Sequence, residues 1–440
     1  MPKQSPRIIR AIKKGRIPKL STARTPSSKS DARCILCRGT KLLCGKTRCP
    51  IMVKLYAQAK IAPSIEGLEL SGASPPGVFV GRTGYPKVMV GPLVPPEHGD
   101  TSLMDTPEMW LGKTIDEIVD FRFRLIRGKH PVHVKEVSNP GRIVEQTREL
   151  AMSKGPAEVE AEFAKKPSGR IILDDEIQPF GPSAPVKKMR LGTYRLDHRI
   201  EKAYFDTDLK ATPAVLDLYQ SGVLVSKIQR AFSVGAFGVE EDRRFVPTRW
   251  SITAVDSILS ENLMEKVRRY PLINEYRVYE SWTLDNRFEV LMIPGAWSYE
   301  LVEAWYPGSA WNPSGGRIAM YSSWEGYRGR TTYAEIGGCY YAARLATCEQ
   351  LDRERRQATV VILRESHPGY IMPVGVWNVR ENVRNAVRSP PKKFDTLHEA
   401  LAFVSSRLEI DLPIWIANSR VLQSNLYQKR IDEFFPRIWN

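Results

Sequence analysis

The chain has 440 residues, 42% of them hydrophobic and 26% charged, which is enough for two or three domains with cores of their own. Its sequence lacks the roughly 18 uncharged apolar residues that a membrane-spanning helix requires, so we expect a cytoplasmic protein without a membrane partner. The formal net charge of +16 is unevenly placed: residues 1–60 hold sixteen Lys and Arg against the single acid Asp31, whereas the remainder holds 49 bases and 48 acids.

The basic N-terminal segment, residues 1–60, predicts a polyanionic partner. A segment of this charge gains affinity for nucleic acid by releasing condensed counterions, so DNA or RNA is the expected partner. The alternatives are a solvated basic tail, or one that faces ribosomal RNA or acidic lipid.

Four of the six cysteines lie in this segment, in the C-x2-C-x6-C-x4-C array "CILCRGTKLLCGKTRC" (Cys34, Cys37, Cys44 and Cys49). Two short-spaced pairs can deliver four thiolates to the corners of one tetrahedral ion, so the array predicts a structural zinc site. Two disulfides, an iron–sulfur cluster with the same ligands and unligated thiols are the alternatives, and the middle gap is shorter than in common zinc ribbons. Closed four-cysteine coordination leaves no position for water, which argues against catalysis there. The cations expected to balance the cluster and to contact phosphates are Arg33, Arg38, Lys41, Lys46 and Arg48.

Beyond the cysteines, the pattern of apolar residues predicts a mixed α+β body. In chain order it indicates strands at 78–80 and 87–90, a helix at 109–123, helices at 213–221 and 256–270, and strands at 276–294 and 358–365. Prolines between 165 and 192 favour a long surface loop. Thr396 and Glu399 form a predicted capping box that starts the last core helix.

Two polar stretches are candidates for chemistry. "EEDRRFVPTRWSITAVDS" combines Glu240, Glu241, Asp242 and Asp256, which would suit a metal, with Arg243, Arg244 and Arg249, which would suit a phosphate. The alternative is a polar loop with internal ion pairs that enters a strand. The second stretch alternates planar and cationic side chains that suit unpaired bases and phosphates, although core packing also explains its aromatic residues: Trp324, Tyr327, Arg328 and Arg330.

The remaining cysteines and histidines do not predict a reaction. Cys339 and Cys348 have no base at a telling spacing and are interpreted as buried apolar residues. His130 and His133 have no evident third metal ligand.

The C-terminal sequence "QKRIDEFF" carries the pattern Gln-x-x-Ile-x-x-Phe-Phe at Gln428, Ile431, Phe434 and Phe435. In a 3₁₀ turn the side chains of Ile431 and Phe434 point the same way, so the apolar residues form a compact plug for a pocket. The stretch closely resembles the peptide by which replication and repair proteins dock on sliding clamps of the PCNA type. The alternative is a C-terminal turn that folds onto the protein's own core.

Taken together, the basic four-cysteine N-terminus, the motifs "FVPTRWSITAVDS", "IPGAWSYELVEAWYPG" and "GGCYYAARLA", and the clamp-type peptide resemble the archaeal Nre family of DNA repair proteins. The resemblance implies that the four cysteines are a zinc knot and that 428–435 is a clamp-docking segment. It also implies a joint near residue 295, and we expect four regions: a basic zinc-bearing arm at 1–60, a large α/β region at 61–295, a smaller one at 296–415 and a tail at 416–440.

The expected function is therefore a DNA repair factor that grips DNA with its zinc-bearing arm and is recruited to a sliding clamp, with other repair proteins as further partners. No established reaction comes with the family resemblance. The competing hypotheses are a metal-dependent, nuclease-like enzyme tethered to the clamp, with Glu240 to Asp256 as its site, and an RNA-binding protein whose clamp motif is accidental.

Overall fold

A computed structural model describes residues 34, 36–169, 178–313 and 316–427 of the chain. These residues form two six-stranded mixed sheets with helices packed on them, which confirms the predicted α+β class. No helix within these ranges has the length and apolar content needed to cross a membrane. Arg33 and the clamp-type motif at 428–435 lie outside the described residues.

The first sheet is built from the N-terminal half of the chain. Its strands are β1 (Glu69–Ser74), β2 (Val78–Val80), β3 (Lys87–Val94), β4 (Ile126–His133), β5 (Ala157–Phe163) and β6 (Ser183–Leu191), in the order β1-β5-β6-β4-β3-β2. All neighbouring strands are antiparallel except β4 and β6, which run parallel. The helices of this half are α1 (Pro50–Ile61), α2 (Ile115–Arg124) and α3 (Arg142–Met152).

Four helices connect the two sheets: α4 (His198–Phe205), α5 (Ala211–Gln220), α6 (Val225–Ser233) and α7 (Thr248–Val267). Thr114 and Asp197 show why helices of this protein begin where they do, because their side chains accept hydrogen bonds from first-turn amides of α2 and α4. Helix α7 begins directly after Pro247, well before the predicted start at 256.

The second sheet has the strands β7 (Tyr276–Thr283), β8 (Asn286–Ile293), β9 (Ser298–Trp305), β10 (Ala319–Glu325), β11 (Thr359–Ser366) and β12 (Lys392–Phe394), in the order β10-β9-β11-β8-β7-β12. Its helices are α8 (Gly338–Glu354), α9 (Trp377–Arg388), α10 (Leu397–Arg407), α11 (Leu412–Asn418) and α12 (Arg420–Tyr427). The predicted capping box is confirmed, because Thr396 and Glu399 exchange side-chain and backbone hydrogen bonds at the start of α10.

The largest hydrophobic core joins the two halves of the chain. It contains Val88 and Val90 of the first sheet together with Val290 and Leu301 of the second, so the sheets share one apolar interior. Residue 295 lies between β8 and β9, and the second sheet therefore takes strands from both sides of the predicted joint. The division into four regions stays a prediction; of the predicted tail, residues 416–418 belong to α11 and residues 420–427 form α12.

The expectation of a long loop between 165 and 192 is wrong in part. Residues 183–191, expected to be part of a loop because of the prolines between 165 and 192, form β6. Pro185 has no N–H to donate, and it is tolerated because it lies in the last pair of β4 with β6, before pairing with β5 begins at Val186. Its carbonyl oxygen accepts a hydrogen bond from the Ala164 N–H.

Candidate nucleic-acid interface

The four-cysteine segment, residues 34–49, is a series of tight turns. The N–H of Arg38 donates to the Cys34 carbonyl oxygen over 3.0 Å, and the N–H groups of Thr40 and Lys41 donate to the Cys37 carbonyl oxygen over 3.1 and 3.2 Å. Further backbone N–H groups, first that of Leu43, are directed at the Cys37 thiol and lower its pKa. Such N–H bonds favour the thiolate form that binds metals.

The fit of this segment to zinc rests on its donor chemistry. In the described part of the chain no disulfide joins any cysteine, and no group of three or more His, Cys, Asp or Glu side chains is placed to hold a metal ion. Cys49 nevertheless approaches the turn after Cys37, because a Cβ added at Gly39 would lie 3.6 Å from the Cys49 sulfur. Four sulfur donors within sixteen residues remain the set that zinc prefers, and the zinc site stays a prediction.

The cysteine segment is fixed to the second half of the protein. Gly45 and Gly308 both have positive φ and meet backbone to backbone, so that a Cβ at Gly308 would overlap the Gly45 carbonyl oxygen. The Lys46 ammonium group is buried and donates to the Ser309 carbonyl oxygen over 3.2 Å. Any ligand that this segment holds is therefore held at a defined place relative to the second sheet.

The cations predicted to contact phosphates differ in their availability. Arg38 and Lys41 are exposed beside the cysteines. Arg48 is half-exposed and forms an ion pair of 2.7 Å with Asp116 on α2. Lys46, being buried against Ser309, serves the packing of the segment.

The aromatic and cationic residues predicted at 324–330 lie at the open edge of the second sheet, on β10 and the turn after it. Trp324 is 37% exposed with the Arg420 guanidinium 4.4 Å above its ring, and Tyr327 is 51% exposed with Arg268 at 5.3 Å. Arg328 is exposed.

Two further residues, Arg330 and Tyr321, belong to this edge of the second sheet. The Arg330 guanidinium donates to the Trp324 carbonyl oxygen over 2.7 Å and to Glu335 over 2.9 Å, so it holds the turn in shape. Tyr321, which sequence reasoning missed, is 54% exposed on the same strand.

The stretch from Glu240 to Asp256 does not gather its acids. Glu240, Glu241 and Asp242 form an exposed 3₁₀ turn. Asp256 is instead buried inside α7 and accepts hydrogen bonds from Arg380 over 3.0 Å and from Gln229 over 2.9 Å. Burial raises the pKa of Asp256 to about 6. The expectation that this loop enters a strand is wrong, because it enters α7.

The arginines of this stretch also have separate positions. Arg243 is buried and donates to the Gly238 and Tyr204 carbonyl oxygens over 2.8 and 2.7 Å, so it fixes the loop. Arg249 is exposed in the first turn of α7, beside Trp250, whose ring packs on Tyr85 at 5.2 Å.

The cysteines of α8 differ in burial: Cys348 lies inside the largest core, whereas Cys339 is half-buried and packs against that core. Burial raises the pKa of Cys339 to about 12 and raises that of Cys348 as well. Thiols in this state are poor nucleophiles. The interpretation as a buried apolar residue fits Cys348, whereas Cys339 is half-buried and lies near the Arg364–Glu303 ion pair.

Helix α12 directly precedes the clamp-type motif in the chain. Its Val421 and Leu422 are buried in the core on the outer face of the second sheet. The buried Glu300 accepts hydrogen bonds from the Ser419 hydroxyl over 2.6 Å and from the Arg420 and Val421 N–H groups over 3.0 and 2.9 Å, which fixes the start of the helix. Tyr427, its last residue, is 73% exposed.

The architecture and the motifs together define a family. Residues 43–312 match the family described as archaeal Nre, N-terminal, and residues 325–434 match archaeal Nre, C-terminal. The chain therefore belongs to the archaeal Nre family, as the resemblance had predicted. The N-terminal match begins after Cys34 and Cys37 and includes Cys44 and Cys49.

Named relatives cover nearly the whole chain. It is 44% identical over 402 residues to DNA repair protein NreB of Archaeoglobus fulgidus, a match that covers 91% of this chain and 99% of the relative. It is 37% identical to DNA repair protein NreA of the same organism (86% and 94% covered) and 34% identical to DNA repair protein NreA of Haloferax volcanii (81% and 87% covered). No solved structure matches this chain.

Proposed function

We propose that this chain is a DNA repair factor that contacts DNA through its basic N-terminal segment and four-cysteine module, and that it is recruited to a PCNA-type sliding clamp by residues 428–435. The repair role is carried by relatives that are named DNA repair proteins and align along almost their full length. The DNA contact is supported by the sixteen basic residues in residues 1–60.

In this proposal, the cysteine segment is a rigid platform for phosphate contact. Cys34, Cys37, Cys44 and Cys49 would hold the zinc ion, which supplies structural cross-linking of the turns. Arg38 and Lys41 project from those turns into solvent, whereas the Lys46 and Gly45 contacts hold the platform against the second sheet.

The clamp contact is supported by the position of the motif. Gln428 follows directly after α12, whose first turn is held by the buried Glu300. The motif residues Ile431, Phe434 and Phe435 match the apolar positions of clamp-binding peptides. Other repair proteins are further partners in this proposal.

DNA affinity measured over a range of salt concentrations tests the proposal. The wild-type chain should bind duplex DNA with an affinity that falls steeply with salt, and Arg38→Ala with Lys41→Ala should make the logarithmic slope shallower by about two, at about 0.9 for each lost phosphate contact. The control is Lys202→Ala with Lys210→Ala, two exposed lysines on the α4–α5 side of the protein. A flat salt response of the wild type, or tighter binding to RNA of the same length, contradicts the proposal.

A further inference from the structure

A cleft opens in the first sheet where its parallel strands separate. β4 and β6 pair only between 127–129 and 183–185, and beyond that point each strand pairs only with its other neighbour. The gap holds a cavity of about 550 Å³, which we name the β4–β6 cleft. Concave surfaces of this kind, lined by a few polar groups, are candidate ligand sites.

Basic side chains dominate the β4–β6 cleft. Four of its lining residues are cationic, and none is acidic within the part of the chain described: Arg142, Lys187, Lys188 and Arg190. His130 of β4 lines the opposite side. This composition favours an anionic ligand with more than one charge.

A β-bulge in β6 brings both of these lysines to the cleft. Between Val186 and Lys188 the register of β6 against β5 shifts by one residue, so the extra residue Lys187 and its neighbour Lys188 both approach Glu162. Their ammonium nitrogens lie 2.6 and 3.7 Å from its carboxylate oxygens. The single negative charge of Glu162 therefore offsets only one of the two lysine charges. Bulges of this kind commonly redirect side chains toward a site.

Arg142 and Arg190 supply the uncompensated charge. Both are exposed, and in the described ranges neither forms an ion pair. Glu160 lies opposite Arg190 across the β5–β6 pair without forming one, and the nearby Glu145 is 4.0 Å from Arg148. The cleft therefore retains net positive charge after its nearest acids are counted.

The backbone and the apolar residues of the cleft suit a nucleotide unit. Gly141 has a φ of +80° and precedes α3, and the Arg142 and Ile143 N–H groups at the start of that helix have no side-chain cap. Ile143 and the buried Met189 give the cleft an apolar side. Cations and amides would face a phosphate, while the apolar side would face a sugar.

We propose that the β4–β6 cleft binds a phosphate group of a DNA strand, as a contact separate from the basic arm and the cysteine segment. This inference rests on the proposed function and deepens it, because it gives the body of the protein its own DNA contact. A strand held at both places would run between the cysteine segment and the first sheet.

The test compares two full-length double variants with the same charge change. Arg142→Glu with Arg190→Glu reverses the uncompensated charges of the cleft, and Lys202→Glu with Lys210→Glu reverses two exposed charges outside it. We measure affinity for a short oligothymidylate over a salt series, and affinity for inorganic phosphate by calorimetry. Circular dichroism checks folding, and Arg142→Gln with Arg190→Gln serves as a milder second variant.

The cleft variant should bind the oligothymidylate about tenfold more weakly than the control variant, with a salt slope shallower by about 1.4, at about 0.7 per contact on a single strand. It should also lose phosphate binding, and the glutamine variant should show an intermediate loss. Equal losses in the cleft and control variants overturn the inference. The proposed function fails in a distinguishable way: the wild type then shows no salt-dependent DNA affinity, whereas inorganic phosphate still binds and Arg142→Glu with Arg190→Glu still abolishes that binding.

Discussion

Glu289 is a carboxyl group buried in the second sheet that makes stability depend on pH. It lies on β8, opposite Glu280 of β7 and Leu363 of β11, and only 1% of it is exposed. Neither of its carboxyl oxygens has a hydrogen-bond partner in the described part of the chain. Burial, reinforced by Glu280, raises its pKa from the ordinary 4.5 to about 8.

The raised pKa of Glu289 determines whether stability rises or falls with pH. Below pH 4.5 the Glu289 carboxyl group is protonated in both the folded and the unfolded protein. As the pH rises from 4.5 to about 8, the unfolded protein ionises at this group while the folded protein keeps its proton, so the free energy of unfolding falls. Each pKa unit is worth about 1.4 kcal/mol, so the loss between pH 5 and pH 8 is about 3 kcal/mol. Leucine at this position removes the titrating group and is compatible with the neighbouring Leu363.

Urea unfolding of wild type and Glu289→Leu at a series of pH values measures this directly. The free energy of unfolding of the variant, relative to the wild type, should increase by about 3 kcal/mol between pH 5 and pH 8. Every other titrating group is common to both proteins, so its contribution cancels. A difference between the two proteins that stays constant across this pH range refutes the reasoning.

Three further predictions concern the cysteine segment and the β10 edge. Gly308→Ala should release the cysteine segment and speed alkylation of its thiols at least several-fold. The control is Gly112→Ala, where the glycine also has a positive φ but a Cβ would meet no atom within 4 Å, and it should leave the alkylation rate unchanged. Equal rates for the two variants contradict the packing of Gly45 on Gly308. Metal analysis should find about one zinc per chain, lost in Cys44→Ser, and an unchanged metal content would contradict the zinc site. Trp324→Ala should weaken single-strand DNA binding several-fold, by about 1 kcal/mol or more, relative to the equally exposed Trp311→Ala; matching affinities would remove the stacking role.

Local signals in the sequence predicted local structure well. The hairpin strands at 78–80 and 87–90 and the capping box at Thr396 depend on residues close in the chain, and all three are confirmed. The strand β6 escaped prediction because Pro185 and the prolines before it favour loops, and its pairing depends on β4 and β5, which lie outside any short window. Periodicity carries no information about such long-range partners.

The same limit applies to the candidate site. Sequence reasoning grouped Lys46 with the phosphate-binding cations, because it lies between cysteines. The structure shows it buried against Ser309, a residue 263 positions away in the chain. The basic charges of Arg142 and Arg190 lie nearly fifty residues apart, and only the topology of the first sheet brings them to one cleft.

Sliding-clamp capture by the full-length chain tests the central claim most directly. Immobilised clamp should retain the wild type and lose Phe434→Ala with Phe435→Ala almost completely, while both proteins bind DNA with the same affinity. The control Phe205→Ala, which removes a phenyl ring that is 70% exposed elsewhere on the surface, should be retained like the wild type. Retention of the Phe434→Ala with Phe435→Ala variant at the wild-type level would contradict recruitment through residues 428–435.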